Sequence, residues 1–250
     1  MAAEDGRFAR AEVLLGAAAL ERLHRSRVAV FGLGGVGSWC AEALTRSGVG
    51  HLLLVDEDTV SQSNINRQLP ALTSTIGRPK AVVMAERLRE INPALCAVPE
   101  TSRYEAKTRE YFALSEYDYV VDAIDLVSCK IDLIETALRL RVPVVAALGA
   151  GNKRDAARLC LADLADTSGC PLARVMRREL RRRGIVNLPV VYSPEECAAP
   201  QTAADEPPPP GRRSVPGSLV WVTATAGMLL AQHVVLALTQ ENTEPFSASR

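Results

Sequence analysis

Residues 28–37 read VAVFGLGGVG, an apolar run that passes directly into a glycine-rich turn with the spacing G-x-G-x-x-G. A helical pattern follows over residues 38–46, and a second apolar run at 51–55 ends at Asp56. This order predicts a strand, a tight turn, a helix and a second strand. Because both strands are apolar along their whole length, we expect a parallel sheet that is covered on both faces.

The same alternation continues along the chain. Residues 80–91 show helical periodicity after Pro79, a residue type that is tolerated at the start of a helix but not inside one. Further strands are predicted at 119–121 and 142–148, with a helix between them at 128–140. Strands that alternate with helices predict an α/β fold built on a Rossmann-like, doubly wound and mostly parallel sheet.

The chain divides into three regions around one core. Its 250 residues, 48% of them apolar, suffice for one main domain. Residues 1–26 form an N-terminal arm whose amphipathic helix, predicted at 11–25, we expect to pack outside the sheet, and the Rossmann-like core spans 27–162. A strand near 158–162 ends the core. The C-terminal extension, 163–250, combines a basic helix from Pro171, a proline-rich connector at 194–216 that we expect to be mobile, and an apolar helix.

The apolar helix at 219–238 is uncharged and long enough to cross a bilayer. Its interior carries polar residues such as Gln232 and His233, and small residues such as Ala226 and Gly227 suit close packing. We therefore favour a buried helix of the core or of a dimer interface over a membrane span.

Charge and cysteine usage restrict the partners and the compartment. Lys and Arg total 29, as do Asp and Glu, so a nucleic acid could be recruited only by a local basic patch. The six cysteines contain no C-x-x-C pair, which argues against a zinc knuckle and a redox dithiol. The N-terminus does not resemble a secretory signal, so we expect a cytoplasmic protein.

The glycine turn predicts a nucleotide site. Glycine lets the backbone approach phosphate oxygens, and the following helix directs its N-terminal amides at negative charge. Asp56, at the end of the second strand, is placed to accept hydrogen bonds from ribose hydroxyls. At this point an NAD-dependent oxidoreductase and a non-catalytic binding module fit as well as an ATP-using enzyme. The candidate nucleotide-binding glycines are Gly32, Gly34, Gly35 and Gly37.

Polar and cationic residues after Asp56 favour ATP. The segment 64–68, NINRQ, supplies Asn66 and Arg67, and Lys80 follows shortly after. A triphosphate gains charge-assisted hydrogen bonds from Arg67 and Lys80, whereas a dinucleotide does not require such fixed positive charge. Asp125 follows a central strand, where a carboxylate can hold Mg²⁺ beside the phosphates; the alternative is that it caps the next helix.

These residues together resemble the E1-like family that includes the MoeB and ThiF adenylyltransferases. Within it the chain is most similar to the tRNA threonylcarbamoyladenosine dehydratases, through segments 161–173 and 222–227 and the missing zinc cysteine pairs. The segments that carry the family resemblance are 7–10 (RFAR), 30–38 (VFGLGGVGS), 56–58 (Asp-x-Asp), 64–68 (NINRQ), 77–81 (Gly-x-x-Lys-Ala) and 122–125 (DAID).

The resemblance implies a set of roles. ATP is held by the glycine turn and by the Asp56-x-Asp58 motif, its triphosphate by Asn66, Arg67 and Lys80, and Mg²⁺ by Asp125. Arg10 matches the position from which one protomer of a family homodimer reaches into its partner's site. The expected catalytic residues are therefore Arg10, Arg67, Lys80 and Asp125.

The resemblance also implies the reaction and its partners. The substrate is tRNA bearing threonylcarbamoyladenosine, whose carboxylate is adenylated and then closed into a ring, and a monovalent cation (K⁺ or Na⁺) binds near the site. The rival within ATP chemistry is adenylation of the C-terminal glycine of a ubiquitin-like sulfur carrier, with sulfur-transfer proteins as partners.

A basic stripe and one cysteine complete the candidates. On the helix predicted from Pro171 to 183, arginines recur at helical spacing on one side, and apolar residues supply the other. We interpret the stripe either as a contact for tRNA phosphates or as a solvated face. Cys170 is interpreted as a helix-start residue, and no cysteine is nominated as catalytic. The stripe consists of Arg174, Arg177, Arg178, Arg181 and Arg182.

Overall fold

A seven-stranded sheet forms the centre of the molecule. The computed structural model describes residues 6–199, 201 and 215–240. The strands lie in the order β3-β2-β1-β4-β5-β7-β6, and all neighbours are parallel except β6 and β7. The strands are β1 (Arg27–Phe31), β2 (His51–Val55), β3 (Cys96–Glu100), β4 (Tyr119–Asp122), β5 (Val144–Ala147), β6 (Cys160–Asp163) and β7 (Pro189–Tyr192).

Helices cover both faces of this sheet, as the apolar strands predict. One apolar core joins the sheet to α2, α3, α4 and α7, and a second core joins its other face to α5 and α6. The predicted α/β, doubly wound and mostly parallel architecture is therefore confirmed. The helices are α1 (Ala9–Leu15), α2 (Ala17–Arg25), α3 (Gly37–Arg46), α4 (Lys80–Ile91), α5 (Val127–Arg139), α6 (Pro171–Arg181) and α7 (Val220–Thr239).

The chain order places a crevice in the middle of the sheet. From β1 the chain builds outward through β2 and β3, then returns to the other side of β1 and continues with β4 and β5. The strand order reverses between β1 and β4, where the connections diverge to opposite faces. Ligands of doubly wound folds bind at such a point, beyond the carboxyl ends of the strands.

The N-terminal arm differs from its prediction. In place of one helix over 11–25, α1 and α2 are separated by Gly16, whose φ of +83° is incompatible with a continuous α-helix. None of the α1 residues is buried, whereas Ala19 and Leu23 of α2 join the core.

Two strands escaped prediction, and both belong to regions with weak patterns. Strand β3 contains Pro99, a residue that is depleted in strands, and it lies at the sheet edge where proline is tolerated. Strand β7 has four residues and pairs with β5, so part of the C-terminal extension completes the central sheet.

Helix α7 packs in the core, as expected for the apolar segment 219–238. Among the described residues, it is long and apolar enough to cross a membrane, a property that the core helix of a soluble protein can share. One side of α7, including Ala226, Gly227 and Leu230, is buried against α3 and the sheet. Most of the proline-rich connector, residues 200 and 202–214, lies outside the described residues.

Candidate functional site

A cleft of about 730 Å³ lies beyond the carboxyl ends of the first five strands. It occupies the point where the strand order reverses between β1 and β4. Most of the residues singled out from the sequence line it, although they come from separate parts of the chain. The predicted site residues that line the cleft are Gly32, Gly34, Gly35, Asp56, Asp58, Arg67, Lys80 and Asp125.

The glycine turn is built by close backbone approach. Gly32 has φ +87°, and a Cβ there would lie 2.6 Å from the carbonyl oxygen of Ala123. A Cβ on Gly37 would lie 1.8 Å from the carbonyl oxygen of Gly32, so Gly37 is needed for the turn itself and does not line the cleft. Gly34 faces open space toward the cleft, with Gln68 Nε2 at 3.8 Å from the position of its missing Cβ. A ligand can therefore approach the backbone at Gly34.

Asp56 is held rigidly behind this turn. One carboxylate oxygen accepts a hydrogen bond of 2.6 Å from the amide of Leu33, and the other accepts one of 2.9 Å from the amide of Asp58. Burial raises the pKa of Asp56, while the Lys80 ammonium at 4.0 Å and these two amides oppose the rise. A carboxylate has about four acceptor sites, so lone pairs remain for ribose hydroxyls.

Two cations line the cleft. Lys80 is 5% exposed at the first residue of α4, and its Nζ lies 2.8 Å from Oδ2 of Asp58. The Arg67 guanidinium donates hydrogen bonds to the carbonyl oxygen of Ser63 and to Oδ1 of Asn66, both at 2.9 Å. Buried or anchored cations of this kind are suited to bind phosphate.

Asn64 lines the cleft, whereas Asn66, which was predicted to bind the triphosphate, does not. Asn66 is exposed and donates through Nδ2 to the carbonyl oxygen of Ser218, and it does not line the cleft. Asn64 does line the cleft, is buried, and caps a short 3₁₀ turn through its bond from the amide of Ser61. The sequence contains both amides two residues apart, and only the turn geometry selects between them.

The carboxylates of Asp122, the last residue of β4, and of Asp125 have separate roles. Asp125 is exposed to the cleft, and it does not cap α5 because that helix begins at Val127 with Leu126 as its N-cap. Asp122 is fully buried and forms an ion pair with the equally buried Lys130, whose Nζ lies 2.9 Å away. Burial raises the pKa of Asp122, and the Lys130 ammonium opposes the rise. Of the two, Asp125 alone is available to a metal ion in the cleft.

Apolar and aromatic side chains line one part of the cleft, which we call the recess. Tyr104 and Phe31 meet edge to face with ring centroids 5.1 Å apart, and the Tyr104 hydroxyl donates to Asp132 at 3.0 Å. The recess has the flat, apolar character that suits a purine ring. Its lining consists of Phe31, Tyr104, Ile124, Leu126 and Cys129.

This cleft belongs to a chain whose residues 8–249 match the ThiF family. The chain is a member of the ThiF family. It is 40% identical over 241 residues to a tRNA threonylcarbamoyladenosine dehydratase of Bacillus subtilis, covering 94% of this chain and 95% of the relative. A dehydratase of the same description from Escherichia coli is 36% identical over 248 residues, with 92% of each chain covered.

A solved structure agrees with the fold of this ThiF-family chain over nearly its whole length. The crystal structure of the Escherichia coli tRNA N6-threonylcarbamoyladenosine dehydratase in complex with ATP superposes with a TM-score of 0.85 at 34% identity. The match covers 95% of this chain and 96% of that one. The relationship to an E1-like family that the sequence motifs indicate is therefore confirmed.

Several residues of the ThiF-family cleft escaped the sequence reasoning. Tyr104, with its neighbours Ser102 and Arg103, enters the cleft from the loop after β3, a strand whose weak pattern hid it. A further wall of the cleft combines residues 149–151 with Pro216 and Ser218. The two segments that form this wall are joined by a 2.7 Å hydrogen bond from the amide of Gly217 to Asn152 Oδ1. The changed rhythm after Gly149 was the available signal for this wall.

Arg10 lies apart from the cleft of its own chain. It is exposed on α1 and is not among the cleft-lining residues. Cys170, by contrast, occupies the expected helix-start position, where its Sγ accepts a 3.5 Å hydrogen bond from the amide of Ala173 and is buried.

Proposed function

We propose that this ThiF-family chain is an ATP-dependent tRNA threonylcarbamoyladenosine dehydratase. It adenylates the carboxylate of the threonylcarbamoyl group and closes the activated group into a ring. The observation that carries the proposal is the cleft itself, which combines a phosphate-type glycine turn, two cations and the Asp125 carboxylate in a chain 40% identical, over nearly its whole length, to such a dehydratase.

Each part of the cleft fits one part of ATP. The amides of the glycine turn and the positive N-terminal end of α3 favour phosphate oxygens. Arg67 and Lys80 add charge-assisted hydrogen bonds to the triphosphate, and Asp56 accepts from the ribose hydroxyls. The recess around Phe31 and Tyr104 takes the adenine ring.

Asp125 is the residue that would hold Mg²⁺. Its carboxylate is exposed to the cleft, and the described residues contain no group of three or more His, Cys, Asp or Glu side chains arranged as a metal site. One carboxylate together with phosphate oxygens is a usual ligand set for Mg²⁺. When bound, the ion neutralises charge on the phosphates of ATP.

The reaction needs positioning more than side-chain chemistry. The substrate carboxylate attacks the α-phosphorus, a new O–P bond forms, and the bond to the leaving pyrophosphate breaks. A nucleophile on the same threonylcarbamoyl group then attacks the acyl carbon, loses its proton and expels AMP, so the substrate loses one water overall. Lys80 and Arg67 stabilise the negative charge that develops on the phosphates and the leaving pyrophosphate.

No cysteine is required in this scheme. Cys170 is buried as a helix cap, and burial raises the pKa of the cleft residue Cys129, which disfavours its thiolate. The enzyme works as a cytoplasmic homodimer in which Arg10 of each protomer reaches the site of the other. The exposed position of Arg10 on α1, outside the cleft of its own chain, supports this arrangement.

The test is release of AMP and pyrophosphate from ATP and Mg²⁺ with tRNA bearing threonylcarbamoyladenosine, against the same tRNA without it. We expect release only with the modified tRNA, and a loss of at least about 100-fold in Lys80→Ala, because a cation that stabilises the transition state is removed. Lys107→Ala is the matched control, since Lys107 is 79% exposed and is not among the residues that line the cleft. Release stimulated by a ubiquitin-like sulfur carrier, and by neither tRNA, would overturn the proposal in favour of sulfur-carrier adenylation.

A further inference from the structure

Helix α6 borders a second concave surface, which we call the arginine groove. The groove has a volume of about 580 Å³ and is lined by all five arginines of the predicted stripe. Since the whole chain has a formal net charge of zero, this cluster is a local excess of positive charge. The remaining lining residues are Ala165, Ile185 and Val186.

The five arginines are not equivalent. Arg177 is tied to the loop before α6, because it donates to the carbonyl oxygen and the hydroxyl of Thr167. Arg178 and Arg182 share Glu179, with N–O distances of 3.0 and 3.2 Å. These contacts orient three side chains, and Glu179 neutralises part of the charge of Arg178 and Arg182.

Arg174 and Arg181 are the two uncommitted cations of the groove. Within the part of the chain that the structure describes, neither side chain forms an ion pair or a hydrogen bond, and both residues are exposed. They are seven residues apart on α6, which places them about 10 Å apart along one side of the helix. Two unpaired guanidinium groups at this spacing can contact separate phosphates of one nucleic-acid strand.

Residues of α6 line both the arginine groove and the ATP cleft. Leu172, in the first turn of α6, lines the cleft, and Arg174 follows it by two residues. Cys170, the N-cap of α6, packs against Gly149 of the cleft wall, with Sγ 3.1 Å from the position of the missing Cβ. The cleft and the groove therefore both reach the first turn of α6, and we expect the strand that flanks a nucleotide in the cleft to pass close to the groove.

We propose that the arginine groove binds the phosphates of the tRNA strand beside the modified nucleotide, and this inference rests on the proposed function. The chemistry of the lining favours phosphate over base recognition. The groove-lining side chains are guanidinium groups and short aliphatics, and none is an aromatic ring or amide that would stack on a base or read its edge. The groove thus adds affinity and orientation without sequence preference.

The test compares two double variants that each remove two positive charges. The groove variant carries Arg174→Gln and Arg181→Gln, which remove the two uncommitted cations of the groove. The control variant carries Arg25→Gln and Lys107→Gln, which remove cations outside the groove that are 78% and 79% exposed. For the groove variant we expect the KM for modified tRNA to rise about tenfold, while the KM for ATP and kcat stay within about twofold. The control variant should match the wild type in all three constants.

Salt dependence supplies the signature of phosphate contacts. Two lost contacts to a single strand should make the slope of log Kd against log salt concentration shallower by about 1.4. An unchanged tRNA Kd and salt slope in the groove variant would overturn the inference, as would an equal effect of the control variant, which would indicate general charge attraction.

Failure of this inference is distinguishable from failure of the proposed function. If the wild type releases AMP with modified tRNA and the groove variant keeps its KM and salt slope, the groove alone is refuted. If the wild type binds tRNA without releasing AMP, the slope still tests the groove, while the dehydratase activity is refuted. If the wild type does not bind tRNA, both proposals fail.

Discussion

Lys130 and Asp122 form an ion pair in which neither side chain contacts solvent. Removing two charges from water costs several kcal/mol per ion, so this pair exists only because its members satisfy each other and their surroundings. Asp122 also accepts from the amide of Ile124 at 3.1 Å, and Lys130 donates to the carbonyl oxygen of Ile124 at 3.0 Å. Both partners thus hold the backbone immediately before Asp125, which makes Lys130 a positioning residue for the cleft.

Lys130→Met should lower the free energy of unfolding by about 3–5 kcal/mol, because it leaves the Asp122 carboxylate buried without its counter-charge. Adding Asp122→Asn should recover most of this loss, since removal of both charges from a buried pair is often close to neutral. Urea unfolding of the two variants and the wild type measures the effect.

Activity measurements on the same variants distinguish a positioning role of Lys130 from a purely stabilising one. The recovered double variant lacks the hydrogen bond from Lys130 to the carbonyl oxygen of Ile124, so we expect slower AMP release from a stably folded protein. Full activity in the double variant would show that Lys130 serves stability alone, and an unchanged unfolding midpoint in Lys130→Met would contradict the buried-pair argument.

At the scale of elements, the contact between α3 and α7 supports the phosphate-binding turn. A Cβ at Gly227 would lie 2.5 Å from the carbonyl oxygen of Val36 and 2.8 Å from Cβ of Trp39. Nearby, the side chain of Thr223 lies 3.2 Å from the position of a Cβ on Gly35. The N-terminal half of α7 therefore packs directly on the turn and on the start of α3, which explains the small residues of segment 222–227.

The substitution Gly227→Ala tests this contact, because the contact and helix propensity predict opposite signs for the change in the free energy of unfolding. Helix propensity alone predicts a gain of about 1 kcal/mol for alanine over glycine. Because the new methyl group would meet backbone atoms that cannot move independently, we expect a net loss of about 1–3 kcal/mol and weaker ATP binding. Chemical unfolding and ATP titration measure the two quantities.

The control for this prediction lies near the C-terminal end of the same helix. Ala237→Gly, at an exposed position, should lose about 1 kcal/mol through propensity alone and leave ATP affinity unchanged. A stabilised Gly227→Ala variant would mean that α3 and α7 can separate without cost, and the proposed support of the turn would be wrong.

At the scale of the whole molecule, the N-terminal arm exposes apolar surface. Val13 and Leu14 of α1 are 82% and 87% exposed, and α7 exposes Trp221 and Met228 at 52% and 42%. Apolar side chains of this size are common at protein interfaces when they cluster. Together with the position of Arg10 on α1, these exposed residues support the proposed homodimer.

Mixing two inactive variants tests whether Arg10 acts in the partner's site. In a mixed dimer of Arg10→Ala and Lys80→Ala protomers, one of the two sites contains Lys80 from its own chain and Arg10 from the other. Random assortment of a two-fold dimer should then restore about a quarter of wild-type AMP release. Release is measured after co-refolding or subunit exchange, with each variant alone as the control.

The opposite result is equally clear. If the mixture stays as inactive as its components while sedimentation shows dimers, Arg10 does not act in trans. If the wild type sediments as a monomer at assay concentration, the homodimer itself is refuted.

The sequence by itself determined the α/β class, the first β-α-β unit, helix α4 and the position of eight residues that line the cleft. These predictions succeeded because they depend on local rules. An all-apolar strand, a glycine that must adopt φ +87° at position 32 and a proline before Lys80 each restrict their own backbone. Asp56, Lys80 and Asp125 follow from such elements, because parallel strands bring their carboxyl ends to one edge.

Only the tertiary structure decided which residues line the cleft and which side chains pair with each other. It placed Asn64 rather than Asn66 in the cleft, paired Asp122 with Lys130, and brought Tyr104 into the cleft from the loop after β3, a strand with no clear pattern. It also showed that Arg174 and Arg181 are uncommitted, while Arg177 holds Thr167. These outcomes depend on contacts between residues far apart in the chain. Such contacts cannot be predicted from local sequence patterns, because they do not change the spacing of apolar and polar residues.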